Sequence, residues 1–400
     1  MERILIIGGG IAGTATALGL HKAGFDVSVH EAHPDTAEDI GAFLTLASNG
    51  MRALAQLGAS DAVTAIGFPL RSLCLLDAQG GEVAHAPMGE ADDVLLRYRC
   101  LRRGELNAAL QGEAVRRGIR ITHGTRLVSF ENGPDQVTAR FADGSVATGE
   151  LLIGADGLNS AVRRSIAPGA EPVYAGQRVF YGYTRSAQVA DGTGHITMVR
   201  GSKASFGYAV SPDREAYWFA RVAAEALSGT ELANPETSHR RDQLVEMLRA
   251  DATPAAGIVA AATDGIMATN ATELPPGTPW RSGRTLIIGD AAHAASPATG
   301  QGASMALEDA VILAKSLRDA PDTESALSLY EEFRRPRVEH NITVSGQISR
   351  GTHTPSRTGS APAPQRPGED TLMSQLEWDI DLRTVSGGTD GAGTPESTGN

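Results

Sequence analysis

An α/β fold is predicted for this chain: a parallel-sheet domain interleaved with an antiparallel-sheet domain and completed by a long C-terminal helix. Three observations predict it. Short apolar runs at 4–7, 151–153 and 285–288 each break into a glycine turn and resume as a helix. Residues 171–275 hold successive alternating stretches of strand character. Residues 327–347 form one long charged helical run.

The N-terminal run is the most informative. Ile4, Leu5, Ile6 and Ile7 suffice for one fully buried parallel strand, and Gly8, Gly10 and Gly13 follow at G-x-G-x-x-G spacing. Gly8 permits the tight turn, Gly10 lets the backbone approach a pyrophosphate, and Gly13 lets the next helix pack on the strand. Phosphates would sit on the helix N-terminus, where free N–H groups and the helix dipole favour anions. Residues 12–23 read as that helix, with Gly24 as its C-cap, and 27–30 as a second strand ending at Glu31. A carboxylate about 20 residues past the glycines is where ribose hydroxyls need an acceptor. The spacing leaves FAD and NAD both open.

Composition sets the outer bounds. Four hundred residues imply two joined domains, and 20% charged with 41% hydrophobic residues is ordinary for a water-soluble protein. No apolar run reaches membrane-spanning length and no signal peptide is seen, so a cytoplasmic protein is expected. Cys74 and Cys100 can build neither a disulfide framework nor a metal cluster and are expected to be buried structural thiols. A net charge of −12 argues against nucleic acid as a partner.

The remaining elements follow in order. Residues 42–46 lead into a short helix at 51–57 closed by Gly58, and 70–83 read as a hairpin turning at Gln79, Gly80 and Gly81. Arg102 and Arg103 open an amphipathic helix. Strands are expected at 119–123, 127–131 and 137–141, with Asp143-Gly144 as a hairpin turn. The strand at 151–154 ends in Gly154-Ala155-Asp156-Gly157, before a helix that Asn159 or Ser160 could cap. Strands at 179–185, 195–200, 205–211 and 216–222, with a turn at Pro212-Asp213, imply an antiparallel sheet; a helix at 242–250 and a strand at 265–268 close that module. Tyr181 and Tyr183 share one face, as a substrate wall or as ordinary core. The third glycine turn, Gly289-Asp290-Ala291-Ala292-His293, continues through Pro297, Gly300, Gln301 and Gly302 into an Ala/Leu-rich helix at 303–317. Arg334, Arg335 and Arg337 are expected on a solvated face. Residues 351–367 and those beyond 386 are expected to be mobile, with a docked segment at 372–382 carrying Leu376 and Trp378.

In this order and spacing, the motifs at 8–13, 154–157 and 289–293 resemble those of the class A FAD-dependent monooxygenases with the para-hydroxybenzoate hydroxylase fold. The resemblance runs from about residue 2 to about 345 and implies a Rossmann-like FAD-binding domain at 1–70, 99–170 and 276–350. The substrate domain would take 71–98 and 171–275, leaving 351–400 as a flexible tail. Gly8, Gly10, Ala12 and Gly13 would hold the cofactor's pyrophosphate region, Glu31 and Ala32 its adenosine ribose, and Arg103, with Arg102 as the competing choice, its pyrophosphate. Asp156 would contact FAD and NAD(P)H, and Asp290 a ribityl hydroxyl. The loop Pro297, Gly300, Gln301, Gly302 would face the isoalloxazine ring. The helix from Ala303 would aim its dipole at reduced, anionic flavin. His293 would brace this loop. No catalytic base is named; Tyr181, Tyr183 and Pro297 are the substrate-side candidates.

The implied activity is monooxygenation: NADPH or NADH, visiting transiently, reduces FAD, O2 adds as a C4a-hydroperoxide, and an aromatic or polyketide-like substrate is hydroxylated. A flavin-dependent epoxidase or oxidative decarboxylase would use the same chemistry; a flavin-binding module that no longer oxygenates is the reading from another class. A lone Trp218 without a Trp-x-Trp-x-Ile-Pro motif speaks against a halogenase. Gly/Ala-rich composition points by association to secondary metabolism, including antibiotic biosynthesis, and no metal is expected.

Overall fold

The apolar N-terminal run becomes the strand Arg3–Ile7, which lies inside a six-stranded sheet of order 281–282, 285–287, 151–154, 3–7, 26–30, 120–122. A computed structural model describes residues 3–38, 41–90, 92–185, 193–233, 237–263, 265–352 and 369–385. All neighbours in this sheet run parallel except the short edge strand Arg281–Ser282. The helix Ile11–Lys22 is buried along Gly13–Leu20 because it lies between the sheet and the helix Gly302–Asp319. Gly19 allows that approach: a Cβ there would sit 3.0 Å from the Ala310 carbonyl oxygen.

The substrate-side expectation of an antiparallel sheet holds, with one addition. Seven strands run in the order 267–273, 173–184, 216–223, 205–210, 195–200, 72–77, 82–87. The hairpin Ser72–Asp77 and Glu82–Pro87 joins this sheet through a parallel pairing of Ser72–Asp77 with His195–Arg200. One face carries Phe180, Phe206, Trp218 and Ala220 against the helices Thr237–Leu248 and Ala255–Ala260. The opposite face carries Tyr181, Tyr183, Tyr217 and Phe219 and meets Phe43, Phe68 and Cys100 of a three-stranded sheet, 43–46, 98–102 and 68–70. Strand alternation sorts the two sets.

The helix Thr323–Ser349 runs 27 residues and contains Pro336. The expectation that its arginines form a solvated face is overturned. Arg334 is 0% exposed, with its Nη1 2.5 Å from Glu308 and its Nε 2.8 Å from Asp309. Arg337 reaches the same Glu308 through Nε and Nη2, both at 2.7 Å. Only Arg335 follows the surface pattern, pairing with Glu331 and Glu339 one turn to either side. The reason is tertiary: two adjacent carboxylates on the buried helix Gly302–Asp319 need cations, and the long helix packs directly on them.

The docked segment is present. Helix Glu369–Leu376 buries Leu376, while Trp378 lies under Lys22 and Arg318 at 4.1 and 5.0 Å. Apart from Gly351 and Thr352, the stretches expected to be mobile lie outside the described residues. The cysteines split: Cys100 is buried as expected, whereas Cys74 is only partly so.

The ion cluster gives a stability prediction. Burial alone would raise the Glu308 and Asp309 carboxyls. Arg334, with Arg337 on Glu308 and His293 on Asp309, outweighs that and holds both below their ordinary values. Carboxyls depressed in the folded state add stability that is complete above their unfolded values and is lost as pH falls through the folded ones. Arg334→Met removes the one fully buried cation that both carboxylates share, leaving Glu308 to Arg337 and Asp309 to His293, and is expected to cost roughly 3–5 kcal/mol near neutral pH. Thermal unfolding should also show a shallower loss of stability between about pH 5 and pH 3 in the variant than in the parent; an unchanged unfolding temperature at neutral pH would refute the role given to the cluster.

Candidate cofactor and active site

Three glycine turns meet at the carboxyl edge of the parallel sheet, where open α/β sheets bind ligands. Ile7 pairs with Gly154, and Gly154 with Ile287, so the turns beginning at Gly8, Ala155 and Ile288 stand side by side. Gly8 has φ +105, and a Cβ on it would sit 2.4 Å from the Ala155 carbonyl oxygen; one on Gly13 would sit 2.0 Å from that of Gly8. The third turn closes on the first, since a Cβ on Gly289 would come 2.7 Å from the Ala12 methyl. Gly10 differs. Its φ is −73, and a Cβ there meets nothing within 4 Å. Neither backbone nor packing requires glycine at that point, and its open face leaves room for close approach by a ligand.

Polar groups surround this edge. Glu31 ends its strand with one carboxylate oxygen 2.6 Å from the Gly9 N–H and the other 2.6 Å from the His33 N–H; Ala32 is half-buried beside it. Arg103 opens the helix Arg103–Arg116 and is exposed. Arg102, the competing residue, turns away: its guanidinium stacks 4.1 Å over Tyr183 and pairs with Glu215 at 3.0 Å. Asp156 accepts from the N–H groups of Ala161 and Val162 and from the Ser160 hydroxyl. Its carboxylate is therefore committed to the start of the helix Ala161–Ile166, which Ser160 caps. Asp290 is exposed at the rim.

The loop after the third turn is a single 3-10 turn, Pro297–Thr299, followed by Gly300 at φ +66 and the helix Gly302–Asp319. Pro297, Gly300 and Gly302 are exposed, and Gln301 and Ala303 are partly so. A Cβ on Gly302 meets nothing within 4 Å. The long helix tethers this loop: Thr299 donates its N–H to Ser345 and its hydroxyl to Asn341, and Ser345 bonds the Ser296 carbonyl. His293 is buried with Nε2 2.5 Å from Asp309, which also accepts from the Gly289 N–H. It ties the third glycine turn to the helix Gly302–Asp319.

Facing the loop is the aromatic side of the antiparallel sheet. Tyr181 pairs with Phe219, Tyr183 with Tyr217 and Val179 with Arg221. Phe43 packs against all four aromatic rings, its centroid 5.7–6.4 Å from theirs. Burial pushes the Tyr181 hydroxyl up to about 12 and raises that of Tyr183 further. Both stay protonated near neutral pH, so neither is tuned as a general base. Arg221 reaches the loop, with Nη1 3.3 Å from the Ala298 carbonyl oxygen. Among the described residues its Nε is buried without a hydrogen-bond partner, and burial lowers its pKa.

Sequence reasoning missed Arg221, although period two places it with Tyr217 and Phe219 on the aromatic face. It also missed Gln111, whose amide donates to the Gly9 carbonyl at 2.7 Å and fixes the first glycine loop from a neighbouring helix. No local signal marks Gln111, because its partner lies 102 residues away.

The residues fit a flavin dinucleotide: two glycines with unobstructed faces, a carboxylate at the second strand's end, an exposed arginine for phosphate and a carboxylate at the rim. Gly10→Val is therefore expected to leave folding intact while the purified protein loses most of its bound FAD. Gly13→Val, which drives a side chain into the Gly8 backbone, should fail to fold. Circular dichroism and flavin absorbance separate the two; a Gly10→Val protein with a full complement of FAD would contradict the assignment.

The comparisons agree with this geometry. A family model described as an FAD binding domain matches residues 1–345. Aurachin C monooxygenase/isomerase of Stigmatella aurantiaca is 30% identical over 349 residues, covering 86% of this chain and 88% of that protein. An FAD-dependent urate hydroxylase of Klebsiella pneumoniae is 32% identical, covering 88% of this chain and 90% of that one. The crystal structure of Klebsiella pneumoniae HpxO complexed with FAD and uric acid superposes with a TM-score of 0.79 at 26% identity, covering 96% of this chain and 95% of that one. With its three glycine turns on one sheet edge, its family match over most of its length and these relatives, the chain belongs to the class A FAD-dependent monooxygenases.

Proposed function

We propose that this monooxygenase hydroxylates an electron-rich aromatic or polyketide-like small molecule bearing an ionised oxygen, and that Arg221 receives that oxygen. The carrying observation is the buried Arg221 Nε, which has no partner among the described residues. A guanidinium stays protonated in proteins, and a buried charge lacking a counter-charge is costly. Its hydrogen bond to the Ala298 carbonyl holds it beside the loop that would face the ring system of FAD.

Bound FAD would supply the redox chemistry, taking hydride from NADPH or NADH and activating O2. The chain's own residues do the rest. Glu31, Arg103 and Asp290 hold the cofactor's polar groups, and the glycine turns admit its phosphates. The N-terminus of the helix Gly302–Asp319 presents N–H groups and a positive dipole end to developing negative charge. Phe43, Tyr181, Tyr183, Tyr217 and Phe219 wall the space over the loop and keep water from it. In this reading residues 1–70, 99–170 and 276–350 carry the cofactor, and 71–98 and 171–275 carry the substrate. No helix among the described residues is long and apolar enough to cross a membrane, and we place the enzyme in the cytoplasm, where NAD(P)H is regenerated.

The test is NADPH- and NADH-dependent oxygen uptake by the FAD-loaded protein against a panel of phenols, enols and polycyclic aromatics. Ligand-accelerated uptake with a product one oxygen heavier is expected; a flavin that no ligand allows NAD(P)H to reduce would sink the reading. Arg221→Gln should keep its FAD and raise KM for an ionisable substrate by about 10- to 100-fold, the range of a hydrogen bond to a charged group. An unchanged KM would remove Arg221 from substrate binding.

A further inference from the structure

The outer hairpin of the antiparallel sheet carries a cluster unrelated to the flavin site. Its strands pair so that Cys74 stands opposite His85. Glu82 lies three residues before His85, and in a regular strand the two would point to opposite faces. The register slips between Leu75 and Leu76, pairing Leu75 with Ala84 and Leu76 with Glu82. This bulge re-aims Glu82 to the side of Cys74 and His85. The turn behind it is firm, since Asp77 accepts from the N–H groups of Gln79 and Gly81 at 2.9 and 2.8 Å.

We propose that Cys74, Glu82 and His85 form a binding site for a zinc-class divalent cation. Their donor atoms all lie within 4.8 Å of one another. The Cys74 Sγ is 3.7 Å from the Glu82 Oε2, and the His85 Nδ1 is 3.9 Å from the same oxygen. Zinc bonds of about 2.0–2.3 Å at tetrahedral angles separate neighbouring ligand atoms by roughly 3.3–3.8 Å. Glu82 therefore needs to close on Cys74 by about 0.2 Å and on His85 by about 0.6 Å, and the thiol and imidazole, within 4.8 Å of each other, by at most about 1.3 Å. A thiolate, an imidazole and a carboxylate together select zinc-like ions over magnesium or calcium, which prefer oxygen alone.

The fourth position goes to water or to His195, which sits on the same face of the adjoining strand, opposite Ser72. Binding replaces the thiol hydrogen with the metal, and the proton passes to solvent. The ion would clip the exposed edge strand Glu82–Pro87 to its neighbour. Sheet edges of this kind need such protection.

The test uses untagged, FAD-loaded protein stripped by a chelator and titrated anaerobically with Co2+. One equivalent should produce the visible bands of tetrahedral cobalt, to the red of oxidised flavin, and Zn2+ should abolish them. Cys74→Ser and His85→Ala should each weaken binding by at least about tenfold, or 1.4 kcal/mol. Zn2+ should raise the unfolding temperature of the parent protein but not of Cys74→Ser. Both residues are at least partly exposed, so the variants are expected to fold, and circular dichroism will verify that. A cobalt signal that survives both substitutions, or none with excess Co2+, overturns the proposal.

Discussion

The contact on which the most other contacts depend is the buried pairing of Arg334 with Glu308 and Asp309. Asp309 holds the Gly289 N–H and His293, and so fixes the third glycine turn. Glu308 holds Asn49, whose amide also reaches Gln301 at the start of the helix Gly302–Asp319. One arginine on the long helix thereby sets the relative positions of a strand end, a loop and two helices. Such a cluster is expensive to bury and adds little net stability by its existence. Its contribution is geometric: hydrogen bonds between charged groups are directional, so a single arrangement of these elements satisfies them all.

How much of this could be read beforehand depends on how local the signal is. The glycine turns were legible because Gly13 answers to backbone atoms a few residues away and Gly8 to an adjacent strand end of the same kind. Glu31 was legible because its distance from the glycines is set by one helix and one turn. Arg334 was misread because a charge on a helix has no intrinsic address; only the carboxylates packed opposite, on a stretch that reads as Ala/Leu-rich, take it inside. The Cys74 hairpin shows the same limit in miniature, since one residue of bulge, invisible in the alternation, reverses the face to which Glu82 points.

Asp156 illustrates a different limit. Its motif was recognised, yet a carboxylate four or five residues before a helix can serve the helix or a ligand, and sequence offers no means of choosing. The structure commits it to two N–H groups and a hydroxyl of its own chain. The two units also touch through residues that neither motif nor periodicity singles out. Arg102 bridges to Glu215, Arg221 to the Ala298 carbonyl and Arg350 to Glu273. Each guanidinium spans from one unit to the other, which suits a long, planar, multiply donating group.

The parallel sheet is assembled from strands far apart in the chain: Arg3–Ile7 pairs with Leu151–Gly154, which pairs with Thr285–Ile287. Five of the seven strands of the antiparallel sheet are spliced between the last two, and its hairpin, 72–87, between the first two. All of its strands precede residue 274, so it can form before Thr285–Ile287 has been synthesised. The cofactor sheet cannot finish until residues near 290 exist, and its buried arginine arrives some 40 residues later. High contact order of this kind slows folding, and it imposes a sequence of events: the antiparallel sheet precedes the finished edge of the parallel one, and a nascent chain has no completed place for a flavin until nearly all of the described structure has been made.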